Sequence, residues 1–160
     1  MDLTSNIDPL WIAEFRGFFY ADGYLGITTN GLSLDKKYKN FTARAQITLS
    51  QKDEKVLLDI QEKLGGNIHY ENRCKTGFVH DKPVKTGPYC AWRVRSKVDV
   101  GKVIQFLENG LLPAKKREEV KIVKEFLETV GTGRFKTENE RAAIMHKRLT
   151  LHIEIMQMHS

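Results

Sequence analysis

The chain has 160 residues, 41% hydrophobic and 29% charged, with 26 Lys and Arg against 20 Asp and Glu, a net charge of +6 and a pI near 9.3. That composition fits one globular domain over residues 1–160 with a real core, and it excludes low-complexity or fibrous chains. The basic balance leans toward a polyanionic partner. Cys74 and Cys90 are too few for a disulfide scaffold and lack metal-ligand spacing, so they read as free thiols of an intracellular protein. No apolar run approaches the roughly 20 residues that span a bilayer, and no secretory leader pattern is visible, so no membrane association is expected.

Taken in chain order, Asp8 and Pro9 predict the start of a helix that runs to Ala21, with Asp22-Gly23 as a turn. Two strands follow, Tyr24 to Asn30 and Phe41 to Leu49, separated by a polar, Lys-rich loop over Gly31 to Asn40. In the second, Phe41, Ala43, Ala45, Ile47 and Leu49 share one face, and Thr42, Arg44, Gln46 and Thr48 the other. Ser50 with Asp53 resembles a capping box for a helix with the stripe Val56, Leu57, Ile60 and Leu64, stopped by Gly65-Gly66. Asn67 to Arg73 and Tyr89 to Arg95 read as further strands, with a loop between them marked by Gly77, Pro83, Gly87 and Pro88.

Ser96 and Asp99 cap a helix carrying Val100, Val103, Ile104 and Leu107, which ends at Asn109-Gly110. Another runs from Ala114 to Val130 with Val120, Val123, Phe126, Leu127 and Val130 inward. Gly131-Thr132-Gly133 breaks it, and a last helix starts at Thr137 with Glu140. The order is α-β-β-α-β-β-α with extra C-terminal helices, an α+β arrangement of two hairpins with helices on one face. The opposite sheet face is polar and basic. Such a face is either solvated or lies in a DNA groove.

The most informative segment is Phe15-Arg16-Gly17-Phe18-Phe19-Tyr20-Ala21-Asp22-Gly23. Gly17 and Ala21, four apart, lie on one side of the helix and permit a close helix-helix approach. Asp22 places a carboxylate at the negative end of the helix macrodipole, at a cost of roughly 0.3–1 kcal/mol that a divalent cation would reverse. Taken alone, Asp-Gly is also an ordinary turn. The segment resembles the motif of the LAGLIDADG homing endonucleases, and the element order resembles their fold with its saddle-shaped antiparallel sheet. Arg16 stands where that motif usually has a small residue, and should lie outward or reach DNA. Tyr20 stands where an acidic residue is usual.

Only one such motif is present, so the resemblance implies a homodimer paired through Gly17, Phe18 and Ala21, with one Asp22 per subunit at the two-fold axis. It implies an intron-encoded enzyme of intron homing, making a metal-dependent double-strand break in a long, near-palindromic DNA site. Double-stranded DNA is the expected partner, and no small-molecule substrate is expected. Asp22 and the Gly23 backbone would bind Mg²⁺, with Mn²⁺ substituting and Ca²⁺ supporting binding without cleavage.

Gln51 and Lys115 match the family's accessory polar residue and lysine. Lys116 rivals Lys115, since spacing alone does not separate neighbours. Base reading falls to Thr28, Asn30, Thr42, Arg44, Gln46, Thr48, His69, Glu71, Arg73, Arg93 and Arg95. The lysines Lys36, Lys37, Lys39, Lys82 and Lys85 suit phosphate contacts. His80-Asp81 reads as an incidental pair, and His146, His152 and His159 as surface residues. Two other readings compete: an inactive DNA- or RNA-binding relative, either a maturase or a regulator, and a protein-interaction domain, which steep salt dependence of binding would separate from a nucleic-acid binder.

Overall fold

The computed structural model describes residues 6–30, 42–71, 75–131 and 137–160. Helix α1 (Pro9–Asp22) leads into strands β1 (Gly23–Asn30) and β2 (Thr42–Gln51), then α2 (Glu54–Leu64). Strands β3 (Asn67–Glu71), β4 (Lys75–Val79), β5 (Lys82–Thr86) and β6 (Tyr89–Val94) follow. Helices α3 (Lys97–Glu108), α4 (Ala114–Thr129) and α5 (Glu138–His159) complete the chain.

The caps follow local chemistry. The Asp8 carboxylate accepts from the Leu10 amide, with Pro9 in the first turn of α1. Ser96 caps α3 by accepting from Asp99, and Thr137 and Glu140 cap α5 reciprocally. The Ser50–Asp53 box does not form. Ser50 lies opposite Ala91 and Gln51 opposite Cys90 in the ladder, so β2 runs on, and Asp53 itself caps α2 by accepting from Lys55. Long-range strand pairing overrides the local cap there.

A second departure lies between β3 and β6, where the sequence predicts a loop and the structure has the β4–β5 hairpin. Its turn is His80-Asp81, with φ of 48° and 61°. Positive φ at both central residues is what a tight two-residue hairpin turn demands. Pro83 is tolerated because every strand of a two-stranded ribbon is an edge.

The main sheet is antiparallel with strand order β1-β2-β6-β3. Its inner face carries Leu25, Ile27, Ala45, Ile47, Leu49, Trp92 and Val94, packed on buried residues of α1 to α4. Trp92 is fully buried, stands edge-on to Phe15 with ring centroids 6.2 Å apart, and donates from Nε1 to the Gly65 carbonyl at 2.7 Å. Trp92→Ala is expected to cost about 3–5 kcal/mol, read as a fall in the urea midpoint at constant slope. A loss under about 1 kcal/mol would remove the indole from the centre of the core.

Helix α5 packs along α4 and the edge strand β1. Arg148 donates from Nε to the Thr129 hydroxyl at 2.9 Å and sits over the Phe126 ring, tying α5 to the end of α4. A ring nitrogen of His152, Nδ1, lies 2.7 Å from the Ile27 carbonyl and must donate to it, since a carbonyl only accepts. Covering an edge strand in this way blocks further strand addition. Among the described residues no helix is long and apolar enough to cross a membrane.

Candidate active site and nucleic-acid interface

Helix α1 buries Ile12, Phe15 and Phe19 and leaves Ala13, Glu14, Gly17, Phe18, Ala21 and Asp22 exposed. A Cβ placed on Gly17 meets nothing within 4 Å. At Gly23 the backbone turns directly from helix into extended strand, with φ −75° and ψ 143°. The expected Asp-Gly turn is therefore a helix-to-strand junction. The glycine is needed there for space: a Cβ would lie 2.4 Å from the Phe19 ring.

The β1–β2 register sets Gly23 opposite Leu49, which brings the end of β2 beside the end of α1. Gln51 donates from Nε2 to Oδ2 of Asp22 at 2.7 Å. The third contributor comes from α4. Lys116 donates from Nζ to the Gly23 carbonyl at 2.7 Å and to Oε2 of Glu119 at 2.9 Å. Lys115 is exposed, and it is Lys116 that the structure brings to the junction. Lys116 lies four and seven residues before Val120 and Val123 of the inward stripe, so helical phase separates the two lysines.

Asp22, Gln51 and Lys116 thus converge on one junction from three elements. Asp22 is exposed, and Gln51 occupies only one of its carboxylate's several acceptor positions. The Asp22 carboxylate is a hard-oxygen donor of the kind Mg²⁺ and Ca²⁺ take, whereas the Gly23 carbonyl accepts from the Lys116 ammonium. Among the described residues no three His, Cys, Asp or Glu side chains lie together as a ligand group.

Arg16 takes a third course, neither outward nor toward a helix partner. Its Nε donates to the Phe106 carbonyl at 2.6 Å, and its side chain lies against Gly110. It joins α1 to the C-terminal end of α3, where carbonyls lack helical partners. Tyr20 is half-buried with no partner for its hydroxyl, and burial pushes its phenol above 10.0 against a smaller pull from Arg16.

The outer sheet face collects nearly all the residues expected to read DNA. Across β1 and β2, Thr28 faces Arg44 and Asn30 faces Thr42; Tyr24 faces Thr48. Thr48 also faces Arg93, which faces Asn67, and His69 faces Ala91. Glu71 lies opposite Tyr89 on the same face. Arg95, just past β6, donates from Nε to Oε1 of Gln46 at 2.9 Å, and Gln46 donates to the Thr48 hydroxyl at 2.9 Å. Thr28, Asn30, Thr42, Arg44 and Arg95 line a shallow hollow on this face. The Arg93 Nε is buried without a hydrogen-bond partner.

Arg73, Lys36, Lys37 and Lys39 lie outside the described residues. Tyr24, Ser50, Asn67 and Tyr89 share the face as well. Strict alternation from their neighbours finds them.

His146 is exposed, but His152 and His159 are half-buried with partners. His159 lies 3.2 Å from Oε1 of Glu119 and stacks on Tyr24 with centroids 4.6 Å apart. Burial first, and the Glu119 charge second, push the Tyr24 phenol up. His159 joins the site only through a contact between distant elements, and Glu119, three residues from Lys116 on α4, is drawn in with that lysine.

A family model for the LAGLIDADG endonucleases matches residues 15–127, from within α1 to within α4. No curated protein matches the chain by sequence. Among solved structures, the homing endonuclease I-CvuI bound to its target with calcium superposes with a TM-score of 0.68 at 18% identity, over 93% of this chain and 82% of that one. The homing endonuclease I-TnaI gives 0.61 at 16% identity, over 92% of this chain and 94% of that one. I-GzeII bound to its DNA target gives 0.65 at 16% identity, over 92% of this chain and 44% of that one. I-CvuI has also been solved on DNA with magnesium, the DNA uncleaved.

Proposed function

This chain belongs to the LAGLIDADG endonuclease family, and from that premise we propose that it is a homodimeric homing endonuclease that cuts both strands of a long, near-palindromic DNA site. The observation that carries the proposal is the junction itself. Asp22 is exposed, steadied by Gln51 and flanked by the Lys116–Gly23 contact, at the margin of a sheet face bearing Arg44, Arg93 and Arg95.

In this reading two copies pair through the exposed face of α1, with Gly17 and Ala21 allowing the backbones to approach and Phe18 flanking them. The two Asp22 carboxylates then come close, and like charges at that distance need a cation between them. Asp22 would hold Mg²⁺, which when bound activates water and stabilises the leaving oxygen, while the Gly23 carbonyl, expected from the sequence as a second ligand, is taken by the Lys116 ammonium. Mn²⁺ is expected to substitute, and Ca²⁺ to support binding alone; the calcium and magnesium complexes of I-CvuI accord with divalent-metal use.

The chain's own residues supply the remaining functions. Gln51 fixes the carboxylate's orientation and can order water beside it. Lys116 uses two of its three N–H groups on Gly23 and Glu119, which leaves one for a phosphate oxygen. We therefore assign to Lys116 the role that the sequence resemblance gave first to Lys115. Arg44, Arg93 and Arg95 suit the guanine edge, and Gln46 the adenine edge. Lys82, exposed on the β4–β5 hairpin, suits a phosphate.

The test is a cleavage-site selection on randomised duplexes in Mg²⁺, with Ca²⁺ as a binding control. Enriched cut sites with approximate two-fold symmetry are expected. Binding in Ca²⁺ without cutting in Mg²⁺ would instead make the chain a DNA-binding relative. On the selected site, Arg44→Ala is expected to cost about 1–3 kcal/mol, with less loss on unrelated DNA. Equal loss on both would make Arg44 a phosphate contact.

A further inference from the structure

Glu119 is the one buried charged residue among the described residues, at 0% exposure. A carboxylate removed from water costs several kcal/mol unless partners replace its hydration. Its two oxygens are divided between two partners: Oε2 accepts from Lys116 at 2.9 Å, and Oε1 faces Nε2 of His159 at 3.2 Å. Lys116 is itself nearly enclosed, with its ammonium 5.7 Å above the Phe19 ring and on the Gly23 carbonyl. A free lysine side chain has many rotamers, whereas this one is held at three points.

His159 sits at the far end of α5, on the element the family model does not reach. Its ring also stacks on Tyr24, the second residue of β1. A single chain of contacts thus runs from α5 through Glu119 and Lys116 to the carbonyl adjoining Asp22.

We propose that Glu119 and His159 are positioning residues: Glu119 holds the Lys116 ammonium against Gly23, and His159 holds Glu119, so that α5 completes the active site. Only the catalytic consequence rests on the endonuclease reading. The brace itself is a property of the protein without DNA.

The experiment has two arms. In the DNA-free protein, proton–nitrogen spectra are recorded on lysine ammonium groups, where exchange with water erases all but held ones. The wild type is expected to show a protected signal that disappears in Lys116→Arg and in Glu119→Gln, and that weakens in His159→Ala. No protected signal in the wild type, or one that persists in Glu119→Gln, overturns the proposal. Should Glu119→Gln fail to fold, His159→Ala decides: an undiminished signal overturns the brace.

In the second arm, single-turnover cleavage of the selected site is expected to slow roughly 10–100-fold in Glu119→Gln, the scale typical of lost support around an active site. Affinity in Ca²⁺ should hold, and no further slowing should appear in a Lys116→Ala background. Undiminished cleavage by Glu119→Gln overturns the proposal. A protein with a protected ammonium that cuts no DNA overturns the endonuclease reading and upholds the brace.

Discussion

Asp22→Asn is expected to abolish cleavage, by about a thousandfold or more, while the variant stays folded and still binds DNA in Ca²⁺. The substitution keeps the size of the side chain and one oxygen that can accept from Gln51, so the junction geometry survives. What goes is the negative charge, and with it the hard anionic ligand that a divalent cation needs. Stability should hold or rise, because the carboxylate ends α1 at its negative pole and neutralising it relieves roughly 0.3–1 kcal/mol. A gain in melting temperature alongside a loss of cutting marks a residue kept for function at some expense of stability. Cleavage by the variant at the wild-type rate would discard the metal-ligand assignment.

The second large effect is expected at Gly17. A glycine inside a helix costs about 0.8–1.0 kcal/mol relative to alanine. Within one chain nothing requires it, since an added Cβ meets no atom within 4 Å. Its neighbours Trp11, Phe18 and Val56 line an apolar groove between α1 and α2 that the single chain leaves open. Gly17→Leu should therefore leave the isolated subunit as stable as before, or more so, yet block pairing and remove double-strand cleavage. Sedimentation across a range of concentrations reads the pairing directly. A variant that still dimerises with wild-type affinity would show that α1 is not the interface. That result would also free Ala21 from its assigned role.

Much of this was legible in the sequence because it is written in local periods. The alternation of Ala43, Ala45, Ile47 and Leu49 against Thr42, Arg44, Gln46 and Thr48 predicts the two faces of β2, and the burial follows it. The caps at Asp8, Ser96 and Thr137 are decided by neighbours in sequence and form as read. The failures share a physical cause. Ser50 and Gln51 were drawn into the ladder by Ala91 and Cys90, some forty residues away in sequence. Arg16 was drawn inward by a carbonyl on α3. The β4–β5 hairpin was hidden by Gly77 and Pro83, which read as breakers although a two-stranded ribbon accommodates both. Glu119 reads in the sequence as one more surface charge on a helix rich in them, yet it is fully buried and meets His159 of α5. Lys116 differs from these cases, since its phase on α4 was available from the apolar stripe alone.

The direct passage from α1 into β1 has a metrical consequence. With no loop at Gly23, Asp22 and the outer-face residues of β1 are fixed points on one continuous rod. From Gly23 to Asn30 that rod extends about 23 Å at the usual strand rise, close to the length of seven stacked base pairs. If the chain cuts duplex DNA as proposed, the distance from the cut to each contacted base is then set by the backbone. Exchanging Thr28 or Asn30 would alter which base is preferred at its step, but the cuts would keep their place along the duplex.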